Sequence, residues 1–190
     1  MNYSLELDWD MINQEPTQLA LKNFHMTEMK YTLHRQKNAT QGKFNKHKVS
    51  IFYGATNLDT VISEMRPHPG HHVSIAQFKT KKNLKIIDLT SFKLENFCNS
   101  DKELWSYNFL SHLQNFINTP ILPEEKKSLY KFTIAIAEYF NQNSYSGLLY
   151  KSSISNGNNV ALFDKQVTLI PGSAELYKIS SVTFKKEKVI

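Results

Sequence analysis

Apolar and polar positions change their period twice along the chain, and the changes mark its elements. Residues 31–35 fit a short strand, and residues 36–48, polar and holding Gly42, fit a loop. Residues 49–53, Val-Ser-Ile-Phe-Tyr, are β-branched and aromatic, the composition of a short buried strand. A turn over Gly54, Ala55, Thr56 and Asn57 follows. Leu58, Val61, Ile62 and Met65 then recur on one helical face, with Thr56 and Asp59 placed as a capping box. The run 66–70, Arg-Pro-His-Pro-Gly, ends that helix, because proline disfavours helical dihedrals in the residue before it and glycine permits a reversal. Residues 72–78 and 84–89 read as two strands joined by a lysine-rich turn.

From Asp101 the period becomes helical. Trp105, Phe109, Leu113, Phe116 and Ile117 form one stripe, Pro120 and Pro123 mark a break, and Leu129, Phe132, Ile136 and Phe140 form the apolar face of a second helix. Past Asn141 the β signals return, over residues 147–150, 160–163 and 176–184, with a polar loop at 151–158. Strands at both ends around a helical middle predict an α+β domain and not alternating βαβ units. No repeat, low-complexity block or Gly/Ser linker divides the 190 residues, so one domain is expected.

Charge adds a direction. The formal net charge is +6, and all but Arg35 and Arg66 of the 23 basic residues are lysine. The balance favours anionic partners, a nucleotide or an acidic protein among them. The lysines are scattered and not gathered into a stripe, which argues against direct binding of nucleic acid. Cys98 stands alone and fits a reducing compartment. The first ten residues lack the basic head and apolar core of a secretory signal, and no run reaches the ~20 apolar residues of a membrane span. A cytoplasmic protein without membrane contact is the expectation.

Common catalytic signatures are missing: no GxxxxGK[ST] phosphate loop, no GxGxxG, no GxSxG and no HExxH. His68, His71 and His72 cluster, yet without cysteines or a well-spaced acidic partner they read as a histidine-rich turn and not as a metal site. On local pattern alone Glu64 is a surface glutamate on the flank of its helix, and Lys43 is a solvated loop cation. Tyr53 is a core or rim aromatic, and Ser152, Ser153 and Asn159 satisfy loop backbone.

Order and spacing change those readings. Residues 42–45, Gly-Lys-Phe-Asn, resemble the GRFN or GRWN element of the RES-domain family, named for its arginine, glutamate and serine. Residues 51–55 are similar to the strand that follows, residues 59–64 to the helix ending in the family's glutamate, and 66–70 and 84–89 to the next segments. Residues 147–152, Gly-Leu-Leu-Tyr-Lys-Ser, and 158–163, Asn-Asn-Val-Ala-Leu-Phe, are similar to the closing elements. The resemblance covers about residues 31–164, with 1–30 and 165–190 as flanking extensions of the same domain. Lys43 stands where the family carries its arginine, and Arg35 resembles an arginine that many members carry upstream.

The resemblance implies an ADP-ribosyltransferase-like core of two small, mainly antiparallel sheets with flanking helices. It also implies breakdown of NAD, as substrate and not cofactor, at the nicotinamide–ribose bond. Phosphate or water would be the acceptor, and the family's toxins imply a neutralising antitoxin. Glu64 would steady an oxocarbenium-like ribose, Lys43 and Arg35 would hold the pyrophosphate, Tyr53 would pack on nicotinamide or ribose, and Ser152 and Asn159 would position substrate. No metal is needed, since the leaving group is already cationic. An ADP-ribosyltransferase acting on a macromolecule, or a non-catalytic basic module of the same fold, are the alternatives.

Overall fold

Ile86, Ile87, Leu148, Leu149, Val160, Ala161 and Leu162 are all buried, and they come from three neighbouring strands whose apolar runs do not alternate with polar residues. Such runs belong to a sheet covered on both faces. In the computed structural model the described residues are 41–119, 126–163, 167–183 and 188, together with the backbone of strands 21–24 and 29–31; residues 126–129 are described by backbone alone. The elements are β1 (Leu21–Phe24), β2 (Met29–Tyr31), β3 (Phe52–Ala55), α1 (Leu58–Met65), β4 (His72–Thr80), β5 (Leu84–Asp88), α2 (Asp101–Asn118), α3 (Lys126–Gln142), β6 (Gly147–Lys151), β7 (Asn158–Leu162), β8 (Val167–Leu169) and β9 (Glu175–Lys178). A single 3-10 turn, Leu94–Phe97, precedes α2.

The strands run in the order β1-β5-β6-β7-β3-β2-β4-β8. Among the described pairs only β5 with β6 is parallel, as expected where the helices α2 and α3 form the crossover between them. The first half of β4 pairs instead with β9, so this long strand joins the two small sheets of an α+β fold. On one face, Ile87, Leu148, Tyr150 and Ala161 pack with Leu110, Leu113 and Ile117 of α2 and with Ile136, Ala137 and Phe140 of α3. The other face gathers Phe52, Leu84, Ile86, Leu149, Val160 and Leu162, and the sheet curls until Phe78 meets Phe52 edge to face at 5.4 Å. A third cluster seats α1, through Val61 with Leu58 and Ile62, on Val73 and Ile75 of β4.

Several boundaries differ from the sequence reading. The strand expected at 49–53 begins at Phe52, because the Asn45 side chain donates to the Val49 carbonyl (2.8 Å) and keeps that stretch in the loop. Gly54 and Ala55 lie in β3, opposite Val160 and Asn159, and not in the turn. The cap of α1 is Asn57, whose Oδ1 accepts from the Thr60 backbone N–H (2.9 Å); the box built on Thr56 and Asp59 is one residue out of register. Met65 is exposed and not the fourth core residue of that helix, and Trp105, 61% exposed, stands outside the α2 stripe. The last strand stops at Lys178, short of the span expected to reach residue 184. Residues 32–35, Pro120 and Pro123, and the Leu129 side chain lie outside the described residues.

Candidate active site

The loop carrying Lys43 is bolted to β3 by the Tyr53 hydroxyl. That oxygen accepts from the Phe44 backbone N–H (2.9 Å) and donates to Asn45 Oδ1 (2.9 Å), while Asn45 Nδ2 donates to the Val49 and Lys46 carbonyls. Gly42 makes this closeness possible: a Cβ there would lie 2.5 Å from Asn45 Oδ1 and 2.9 Å from the Tyr53 hydroxyl. Phe44 points into the core and meets Tyr150 edge to face at 5.3 Å. Thr133 of α3 donates to the Lys43 carbonyl, so both ends of residue 43 are held.

The Lys43 ammonium donates to the Ile117 carbonyl near the C-terminus of α2, where the helix dipole favours a cation, and lies 5.5 Å from the Tyr150 ring centroid. Burial holds this amine below its ordinary value of 10.5, and the Glu64 carboxylate pulls partly the other way. Burial likewise pushes the Tyr53 and Tyr150 phenols well up, so both stay neutral and can donate.

Glu64 sits in the last turn of α1. Ser152 Oγ donates to its Oε1 at 2.8 Å, and Asn159 Nδ2 donates to the same atom at 2.6 Å. Asn159 is buried on β7, opposite Ala55 on one side and Tyr150 on the other. Ser152 Oγ also accepts from the Ile154 and Ser155 backbone N–H groups at 3.2 and 3.1 Å. Its loop is pinned to the start of α1 by the contact between Ser155 Oγ and Thr60 Oγ1 (2.9 Å). Gly157 is needed there, since a Cβ would lie 2.2 Å from Thr60 Oγ1 and 2.3 Å from Asn57 Nδ2.

These two constructions face one cleft of about 570 Å³, lined by Lys43, Tyr53, Glu64 and Asn159 among others. Ser152 reaches it through Glu64, and its neighbour Ser153 lies on the wall. Arg35 lies outside the described residues. The lining also includes residues to which the sequence assigns no role, among them Tyr130 of α3, Tyr150 of β6, and Arg66. Tyr150 lies in the family-like stretch 147–152 and Arg66 in the stretch 66–70, and Arg66 is also rare beside the lysines. Burial raises the Tyr130 phenol, Arg66 lowers it and Glu64 raises it again, so Tyr130 feels both charges. His68 and His71 contact each other, with ring centroids 5.3 Å apart, and neither lines this cleft.

Fold and cleft together define an α+β domain that sets one doubly anchored carboxylate against two cations and a wall of tyrosines. The family model "RES domain" matches residues 17–180, beyond both ends of the 31–164 resemblance, and the chain belongs to that family. Among solved structures, the crystal structure of the M. tuberculosis MbcT–MbcA toxin–antitoxin complex is similar, at 11% identity and a TM-score of 0.48 over 88% of this chain and 87% of that one. A search of curated proteins finds no match. Among the described residues, no helix is long and apolar enough to cross a membrane. The positions that the resemblance equates with the family's three letters, Lys43, Glu64 and Ser152, belong to one site, joined by the Ser152–Glu64 hydrogen bond and by the field of Glu64 at Lys43.

Proposed function

We propose that this chain degrades NAD, breaking the bond between nicotinamide and ribose, and that it acts as a cytoplasmic toxin restrained by an antitoxin protein. Family membership supports the substrate class and the toxin role. The observation that carries the chemistry is Glu64, a carboxylate whose Oε1 is fixed by Ser152 and Asn159 in a cleft wide enough for a nucleotide portion. Both donors lie on Oε1, and in this reading Oε2 is the oxygen turned to the sugar.

As the C–N bond breaks, its electron pair leaves with the nicotinamide nitrogen and positive charge develops on the ribose ring. A carboxylate fixed beforehand stabilises that charge without reorganising. The oxygen of phosphate or of water then bonds to the anomeric carbon and gives up its proton to solvent. Lys43 supplies a cation for the substrate's phosphates, and the neutral tyrosines exclude water and offer ring faces to nicotinamide or ribose. No step calls for a metal.

Purified protein incubated with NAD, with and without inorganic phosphate, tests the reading. NAD should disappear. Acceleration by phosphate with a phosphorylated ADP-ribose as product identifies phosphate as acceptor, and plain ADP-ribose at a phosphate-independent rate identifies water. ADP-ribose attached to a macromolecule would replace this reading with the transferase, and no NAD loss would replace it with a binding module in which Lys43 marks a lost arginine.

A further inference from the structure

Along a helix, residues two apart face nearly opposite ways. Glu64 and Arg66 nevertheless line the same cleft. Arg66 ends α1 in the left-handed region, φ 48 and ψ 53, with its N–H donated to the Ser63 carbonyl (3.0 Å). A side chain other than glycine enters that region at a cost of about 1–3 kcal/mol. The reversal at residue 66, followed at once by Pro67, accounts for Arg66 lining the cleft that Glu64 also lines.

The two cations of the cleft are not equivalent. The Lys43 ammonium is part-buried and already engaged by the Ile117 carbonyl and the Tyr150 ring. Arg66 is exposed and makes no ion pair with any described residue, and its electrostatic neighbour is the Tyr130 phenol, which also lines the cleft. A guanidinium offers a planar fork of donors that matches phosphate oxygens, whereas an ammonium offers a single point of charge. A neutral phenol beside it can donate one further hydrogen bond to the same anion.

We propose that Arg66, with Tyr130 as its neighbour, is a second phosphate-binding subsite of the cleft, adding a guanidinium fork to the point charge that Lys43 supplies from the inner wall. The phosphate oxygens belong either to the pyrophosphate of a bound dinucleotide or to a free phosphate acting as acceptor. The inference rests on the proposed NAD chemistry for its role, but binding of the anion can be measured without it.

Calorimetric titration of the full chain with inorganic pyrophosphate and with phosphate is the direct test, using the parent, Arg66→Ala and Arg66→Lys, each with a thermal melt matching the parent's. Arg66→Ala should weaken binding about tenfold or more, the loss typical of one charge-assisted pair, and Arg66→Lys should keep part of it. With NAD as substrate, a raised KM at nearly constant kcat in Arg66→Ala identifies the dinucleotide as the source of the phosphate. An unchanged KM for NAD with a higher half-saturating phosphate concentration identifies the free anion. Parent-like anion binding in Arg66→Ala, or no binding by the parent, overturns the subsite. A chain that binds pyrophosphate through Arg66 but never consumes NAD overturns the proposed function and leaves the subsite standing.

Discussion

Ser152 has one hydroxyl proton, and with two backbone N–H groups aimed at its oxygen the remaining direction is toward Glu64. Ser152→Ala removes that bond and leaves both N–H groups without their acceptor. A loss of about 1–2 kcal/mol follows from one such bond, roughly tenfold in NAD turnover, and Ser153→Ala should cost less because no described bond ties it to the carboxylate. Steady-state rates of the two variants decide this; equal rates remove Ser152 from the site. Lys43 carries a prediction in pH. Its amine is held below 10.5, and the charged form is the one that attracts phosphate, so KM for NAD should rise as pH climbs through that lowered value. Lys43→Arg should abolish this alkaline limb, because a guanidinium stays charged. The tyrosines are raised and add no limb at lower pH. If the parent shows no limb below 10.5, Lys43 does not act through its charge on NAD.

Tyr53 is better understood as part of an element than as a lone aromatic. Its ring lines the cleft, but its hydroxyl closes the loop that presents Lys43. Tyr53→Phe keeps the ring and orphans the Phe44 N–H and Asn45 Oδ1, which should cost about 1–3 kcal/mol and lower the melting midpoint by several degrees. A variant with parental melting and a parental KM would show that the ring alone matters. The GKFN stretch was legible only through its place in an ordered series of family-like segments, whereas α1 and α2 were legible from period and the buried strands from their β-branched and aromatic composition. β1, β2 and β8 were not, since three or four residues pair by backbone and carry little side-chain pattern. Trp105 misled because a stripe in sequence says which side chains share a face and not whether that face is covered. Tyr130 joins the site because α3 and the end of α1 line one cleft, and Arg66 through its left-handed conformation; the run 66–70 signals that α1 ends but not where the Arg66 side chain goes.

At the scale of the molecule, the cleft lies where the α1 corner, the Lys43 loop and the C-terminal end of α2 converge on β3, β6 and β7, strands buried on both faces. A carboxylate mounted on such a frame changes little when its charge is removed. Glu64→Gln keeps an Oε1 that accepts from Ser152 and Asn159, so fold and cleft should persist while the negative charge is lost. Induced expression of the parent in bacteria should slow growth and lower cellular NAD, and Glu64→Gln should relieve both; arrested cells with normal NAD would point to another target. The most direct measurement is NAD consumption by the two purified proteins side by side, with matching thermal melts. The account predicts steady NAD loss by the parent and a rate about a hundredfold lower in Glu64→Gln, the effect of about 3 kcal/mol from one preorganised electrostatic group. Equal rates in the two proteins, or no NAD loss by the parent, would contradict it.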